Sequence, residues 1–362
     1  MTRPRPTALE ARLAQVIARQ GPMGVDVFMA QALYDPHLGY YTTQMPLGAR
    51  GDFVTAPDIS QMFGELIGLW LAQSWLDLGS PSPCHLIELG PGQGTWMADI
   101  LRVGARVKGF TAAMQVHLIE ANPHLQASQA TRLAAHNPHW HTDLGQVPEG
   151  PTLLIANEFL DCLPIRQFVR SEEGWREKQV GLGGDGRLCF GLSPLVATPP
   201  KSARPDDPLG ATREVAQALP ALVDQVAQRL SAHVGRALFL DYGDVSGQAG
   251  DTLQALHRHE KVSPLDHIGQ ADLTAHVDFA ALLALAEEAR LVAQGPVSQR
   301  QFLMGLGIEA RAQALMQANP ASANDVQMAV ERLVGEAHMG TLFKAVCLDS
   351  PHNGQAGPPL CI

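Results

Sequence analysis

The segment Glu88-Leu89-Gly90-Pro91-Gly92-Gln93-Gly94 places a glycine at every second position behind an acidic residue. Glycines lack the Cβ that keeps backbone away from a ligand, and a helix starting after such a turn aims its N-terminal N–H groups at the same place. Dinucleotide-binding turns follow G-x-G-x-x-G, with the third glycine packing helix on strand. Here the third glycine comes one residue early, and the Glu88 carboxylate suits a cationic ligand with sulfonium and ammonium groups better than a pyrophosphate. A tight strand-to-helix turn without a ligand is the alternative reading. Glu120 stands where a second strand ends, a position from which a carboxylate can accept both hydroxyls of a ribose; a solvated strand end is the alternative there. Asp143 stands where a third strand ends and can either accept from an adenine amino group or cap a helix or turn.

A fourth strand leads into Asn157-Glu158-Phe159-Leu160-Asp161-Cys162-Leu163-Pro164. Glu158 and Asp161 are three apart at the mouth of an open sheet, where ligands sit, and on a helical turn that spacing points both side chains one way. Two carboxylates on one site suit guanidinium: they take its N–H fork bidentately, orient one nitrogen and disperse the proton that leaves on methylation. The alternative has Asp161 capping a short helix with Glu158 alone at the site. His257, His259 and His267 cluster in a loop, yet no cysteine or matched acidic set completes a metal site, so a solvated or structural role is expected and no metal. His276 and Asp278 read as a helix start, with Thr274 or Asp278 as its cap.

These residues need a parallel sheet to carry them. Strands are expected at 84–89, 116–120 and 152–157, with helices at 96–103 and 123–135 between them, a β-α-β-α-β order. Before them come a capped helix over 7–20, an irregular Gly/Tyr/Pro-rich stretch over 34–57 and an apolar helix over 59–78. After them the period changes to two at 167–170, 177–180 and 187–190, an inserted antiparallel meander followed by a loop over 193–210. A helix over 212–233, a strand at 237–241, a helix over 277–289 and a strand at 341–348 then resume the sheet. The expected division is an N-terminal helical, cofactor-covering region over 1–80, a core over 81–166 and 211–350, and the inserted meander and loop over 167–210.

With 362 residues, 46% hydrophobic and 17% charged, the chain can bury one large core or one core with a sizeable addition. Its formal net charge of −10 argues against a protein that wraps phosphate backbones, since such binding draws its energy from clustered Lys and Arg. Five scattered cysteines without a CxxC pair fit a reduced compartment. No stretch approaches the roughly 18 uninterrupted apolar residues of a membrane span, and residues 1–6 lead into no apolar signal segment. The expectation is cytoplasmic, without nucleic acid and without stable membrane insertion.

The motifs together resemble the MidA-type S-adenosylmethionine-dependent methyltransferases, which include the mitochondrial complex I assembly protein-arginine methyltransferase. The resemblance rests on Asp35-Pro36 with Gly39-Tyr40-Tyr41, Gly51-Asp52-Phe53 with Thr55-Ala56-Pro57-Asp58-Ile59-Ser60, Phe63-Gly64-Glu65, and the glycine turn through Thr95. It continues in Ala156-Asn157-Glu158-Phe159 with Asp161 and Leu163-Pro164, Asp241-Tyr242-Gly243, Asp251-Thr252-Leu253-Gln254-Ala255, residues 272–279, and Met339-Gly340 with Leu342-Phe343-Lys344. It implies an α/β fold of the class I methyltransferase kind, a Rossmann-like doubly wound sheet of seven strands with the N-terminal helical extension and the inserted meander. The cofactor it implies is S-adenosyl-L-methionine, on Glu88, Gly90, Pro91, Gly92, Gly94, Glu120, Asp143 and Asn157, with the stretch 51–60, including Thr55, closing over it. Glu158, Asp161, His276 and Asp278 would lie near the acceptor, and the activity would form symmetric dimethylarginine on a complex I subunit. Relatives in eukaryotes would work in the mitochondrial matrix, and a homodimer stays open. The chain departs from the family at Asp244, where a further aromatic is expected, and over 295–300, where the family has Thr-Gln-Gly; both departures bear on the acceptor rather than the cofactor.

Overall fold

The computed structural model describes residues 4–43, 55–353, 358 and 360. Among them seven strands, numbered here in chain order, follow one path through a sheet: β1 (Cys84–Leu89), β2 (Met114–Ile119), β3 (His139–His141), β4 (Thr152–Asn157), β5 (Gly235–Asp244), β6 (Val292–Ser298) and β7 (Phe343–Asp349). Their order is β3-β2-β1-β4-β5-β7-β6. β1 to β5 run parallel, and β7 runs antiparallel to both β5 and β6. This path has the seven-stranded mixed order the resemblance implies. Strands β1 and β4 are buried at every position, as central parallel strands are when both faces are covered. The chain winds outward from β1 to β3 and then returns to start β4 on the other side of β1, so the carboxyl ends of β1 and β4 flank a switch point.

The chain divides into two units. The sheet unit comprises Val54–Leu160, Ala221–Val245 and Leu282–Ile362. Within it the helix Gln61–Asp77 packs tightly on Thr95–Gly104, because a Cβ at Gly68 would lie 2.5 Å from Val103 Cγ1. Trp70, Trp75, Trp96, Ile100 and Phe110 fill the core around this contact. One face of the sheet carries a diagonal of histidines: His85 Nδ1 lies 3.0 Å from His117 Nε2, and His117 Nδ1 lies 3.0 Å from His141 Nε2. His139 stacks on His117 with ring centroids 5.4 Å apart.

The other unit comprises Met1–Phe53, Asp161–Pro220 and Ser246–Ala281. Its sheet is built on Gly174–Leu182, which pairs antiparallel with Ile165–Ser171, Leu188–Ala197 and Met23–Gly24. The helices Ala8–Gln20 and Val25–Tyr34 lay Leu9, Leu13, Ile17, Phe28 and Met29 into the same core as Val180 and Leu188. Thr7 caps the first helix through its side chain, as the spacing to Glu10 predicts.

Several elements differ from expectation. Thr212–Ala216 is not the start of a helix but a strand on Ile165–Ser171, and the helix begins at Leu219, with Pro220 in the first turn where its missing N–H costs nothing. The loop expected from 193 is still strand as far as Ala197. The histidine-rich loop holds three short strands, Gln254–His257, Glu260–Val262 and Asp272–Thr274. Strand β6 and the helices Val25–Tyr34, Gln299–Gly305, Ile308–Ala318 and Ala323–Val334 are additions. The unit bounds also differ from the expected division: the meander shares a core with the N-terminal helices, whereas Gln61–Asp77 belongs with the sheet.

Candidate functional site

The turn after β1 takes the conformation its glycines permit. Gly90, Gly92 and Gly94 have φ of +64°, +51° and +75°, the left-handed region that side chains disfavour. At Gly90 a Cβ would also lie 3.0 Å from Phe159 Cδ2. The turn is closed by Gly94 N–H donating to Pro91 O at 2.8 Å, and Gly90 N–H donates to Ile119 O of β2 at 3.2 Å. Helix Thr95–Gly104 starts directly from Gly94.

Two carboxylates flank this turn. Glu88 is buried in β1 and its Oε2 has no hydrogen-bond partner among the described residues. Burial first, and the nearby Glu120 second, push its carboxyl up to about 8. Glu120 follows β2; its Oε1 accepts from Asn122 N–H at 2.7 Å and its backbone oxygen from Gln126. Burial raises its pKa, opposed by the bonds from Asn122 and Gln129. Gln129, which belongs to no motif in the sequence, links the turn to Glu120: its Nε2 donates to Gly92 O at 2.6 Å and lies 3.4 Å from Glu120 Oε2.

At the end of β4, Asn157 Nδ2 donates to Glu158 Oε1 at 3.1 Å, and Ala56 N–H donates to the same oxygen at 3.3 Å. Asn157 Oδ1 is buried without a partner among the described residues. Glu158 has φ +51°, a costly backbone for a residue with a Cβ that persists only where its surroundings impose it. Asp241 of β5 imposes it: Oδ2 accepts from Phe159 and Leu160 N–H at 3.1 and 2.8 Å, and Oδ1 from Tyr242 N–H at 2.9 Å. The sequence marks Asp241 as a strand end and as part of the motif Asp241-Tyr242-Gly243, but not its role, which depends on a neighbour about 80 residues away in the chain. Thr55 precedes the short helix Ala56–Ile59, its Oγ1 3.2 Å from Asp58 Oδ2. Residues 51–54 of the expected covering stretch lie outside the described residues. Asp143 caps Leu144–Gln146 through Gly145 N–H at 2.8 Å and receives a longer contact from Gln225.

Glu158 and Asp161 do not share a helical turn. The left-handed Glu158 is followed by bends and turns, and Asp161 opens a segment of the other unit. There Asp161 is buried and its backbone oxygen accepts from Ala275 N–H at 2.9 Å, which sets it beside the His276 segment. Tyr41 donates to both oxygens of Asp272 at 2.9 and 3.1 Å and stacks on Tyr34. His276 N–H donates to Thr252 Oγ1 at 2.8 Å; Thr252 donates to Glu214, which also receives Gln167 Nε2 at 2.6 Å. Asp278 is the cap, accepting from Ala281 N–H at 2.9 Å. His257 and His267 stack with centroids 4.2 Å apart, and among the described residues no group of His, Cys, Asp or Glu is arranged to hold a metal ion.

The sheet-unit residues fit the cofactor that the resemblance implies. A ligand with an ammonium group offers donors to buried acceptors, and Glu88 Oε2 and Asn157 Oδ1 are such acceptors without a partner among the described residues. A cationic ligand also offsets the mutual repulsion of Glu88 and Glu120. The glycine turn lies between them with no Cβ at its three left-handed positions.

Comparison with known proteins agrees with this fit. A family model described as "Putative S-adenosyl-L-methionine-dependent methyltransferase" matches residues 66–297. The protein arginine methyltransferase NDUFAF7, mitochondrial, of Danio rerio is 35% identical over 92% of this chain and 84% of its own length. The Homo sapiens protein of the same name is 32% identical over 97% and 85%. A crystal structure of a Burkholderia thailandensis protein bound to S-adenosyl-homocysteine superposes with a TM-score of 0.84 at 28% identity, covering 96% of this chain and 95% of that one.

Proposed function

Because the chain belongs to the S-adenosyl-L-methionine-dependent methyltransferase family whose model it matches, we propose that its methyl acceptor is an arginine side chain of a protein. The observation that carries this reading is Glu158, a carboxylate at the carboxyl end of β4, held in a left-handed backbone by Asp241 and oriented through one oxygen by Asn157 and Ala56. Guanidinium is planar, permanently charged and presents N–H groups in a fork that a carboxylate matches. The names of the relatives support the same acceptor.

The cofactor supplies, when bound, an electrophilic methyl group on a sulfonium. Glu158 would hold the guanidinium, aim one nitrogen at the methyl carbon and accept the proton which that nitrogen gives up, the new N–C bond replacing the C–S bond of the sulfonium and leaving a neutral thioether; such transfer depends mainly on positioning. Glu88 and Asn157 accept from the ammonium group, Glu120 accepts from the ribose hydroxyls, and Gly90, Pro91, Gly92 and Gly94 let the backbone approach. Thr55, next to the Ala56 N–H that orients Glu158, covers this site, and Asp143 reaches the adenine amino group with the oxygen its cap does not use. Asp161, His276 and Asp278, expected near the acceptor, lie on segments of the other unit. Symmetric dimethylarginine on a respiratory complex I subunit is the product this reading favours, formed in the cytoplasm; among the described residues no helix is long and apolar enough to cross a membrane.

The experiment is incubation of the purified protein with methyl-deuterated S-adenosylmethionine and an extract of cells lacking it, followed by mass spectrometry. Deuterated dimethylarginine in one protein is the expected result. Label confined to small molecules would replace the acceptor with a metabolite, and no label at all would favour an assembly chaperone that keeps the cofactor fold.

A further inference from the structure

Gln129 lies on the helix Pro123–Arg132, is fully buried and satisfies its amide in three directions. Trp140 Nε1 reaches its Oε1 at 2.8 Å. An indole N–H only donates, so Oε1 must face Trp140 and the amide cannot be flipped. Nε2 therefore faces the cofactor turn, with Gly92 O at 2.6 Å and Glu120 Oε2 at 3.4 Å. Gly94 passes close over the same side chain, where a Cβ would come 3.4 Å from Gln129 Cγ. Glu120 is thus held at both oxygens, by Asn122 N–H on Oε1 at 2.7 Å and by the longer Gln129 contact on Oε2.

We infer that Gln129 is a positioning residue for the cofactor ribose: it fixes the distance between the Gly92 turn and the Glu120 carboxylate, and so makes binding depend on the ribose diol. The inference rests on Glu120 as the ribose acceptor. A carboxylate free to rotate can satisfy one hydroxyl as well as two, whereas one pinned at both oxygens loses most when the second hydroxyl is missing. Gln129 touches no reacting atom and acts through Glu120 and Gly92.

The test is calorimetric titration of the full chain with S-adenosylhomocysteine and with its 2′-deoxy analogue, for wild type, Gln129→Met and Gln129→Glu. Methionine keeps the length and removes every hydrogen bond. Glutamate keeps an acceptor for Trp140, removes the donor to Gly92 and sets a like charge beside Glu120. Loss of a buried hydrogen bond predicts that each variant binds S-adenosylhomocysteine roughly tenfold or more weakly, while the deoxy analogue weakens far less, so the preference for the diol collapses. A loss that weakened both ligands equally would reveal a purely structural role and overturn the inference, as would an undiminished preference. If Gln129→Met fails to fold, Gln129→Glu decides alone. Glu120→Ala separates the premise: a diol preference that survives this change removes Glu120 from the ribose, whatever Gln129 does.

Discussion

Glu158→Gln is expected to lower the methyl-transfer rate by about 10²–10⁴-fold, the usual worth of a positioned acid–base group. The dissociation constant for S-adenosylhomocysteine should stay within about threefold, a change under about 1 kcal/mol. The substitution is informative because of what it spares. Glutamine keeps an oxygen for the Asn157 and Ala56 donors that now meet Glu158 Oε1 at 3.1 and 3.3 Å. Asp241 continues to hold the turn through the backbone N–H groups of Phe159 and Leu160. The negative charge is lost and one acceptor oxygen becomes an N–H donor, and with them goes the proposed pairing to guanidinium. The check is single-turnover rate with the acceptor protein alongside calorimetry; equal rates in variant and wild type would remove Glu158 from the acceptor site.

The second large effect is on stability in acid. His117 is pushed down to about 3, chiefly by burial and then by His85, His141, His139 and Arg229. His85 is lowered as well, by burial first, with Arg229 and His233 adding to it and the Glu149 carbonyl opposing it. His141 is lowered by burial, His139 and Arg229. An unfolded histidine titrates near about 6.5, so below that pH the unfolded chain takes up protons that the fold refuses. The neutral histidines thus contribute no penalty above about 6.5, and stability falls as pH drops from there toward about 3. At about 1.4 kcal/mol per pH unit for one such group, His117 alone removes roughly 2–3 kcal/mol between about pH 7 and pH 4.5. Urea unfolding at the two pH values should show this loss in wild type and a loss smaller by about 2 kcal/mol in His117→Phe, which lacks the titrating ring. Identical losses in the two proteins would place the acid sensitivity elsewhere.

What the sequence discloses and what it hides follow one physical line. The cofactor turn is local: three glycines at alternate positions need left-handed backbone whatever surrounds them, and Gly90, Gly92 and Gly94 have it. Strands β1 and β4 take the expected bounds because short apolar runs between Pro/Gly breaks have few other uses. Thr212–Ala216 is strand rather than helix because its partner, Ile165–Ser171, is distant in the chain, and local propensity does not register that pairing. Glu158 and Asp161 mislead for the converse reason: the spacing implies a helical turn, and the left-handed Glu158 that Asp241 imposes removes it. Gln129 and the histidine diagonal are illegible in one dimension. Nothing about His85, His117 and His141 announces contact until β1, β2 and β3 lie side by side.

The proposed cofactor site joins the glycine turn to the Glu120 carboxylate. The most direct measurement is calorimetric titration of Glu120→Ala with S-adenosylhomocysteine, with circular dichroism to verify the fold. Removing a charged acceptor of two hydroxyl hydrogen bonds predicts binding weakened about 100-fold in a chain that is otherwise native. Wild-type affinity in a folded Glu120→Ala protein would contradict the site.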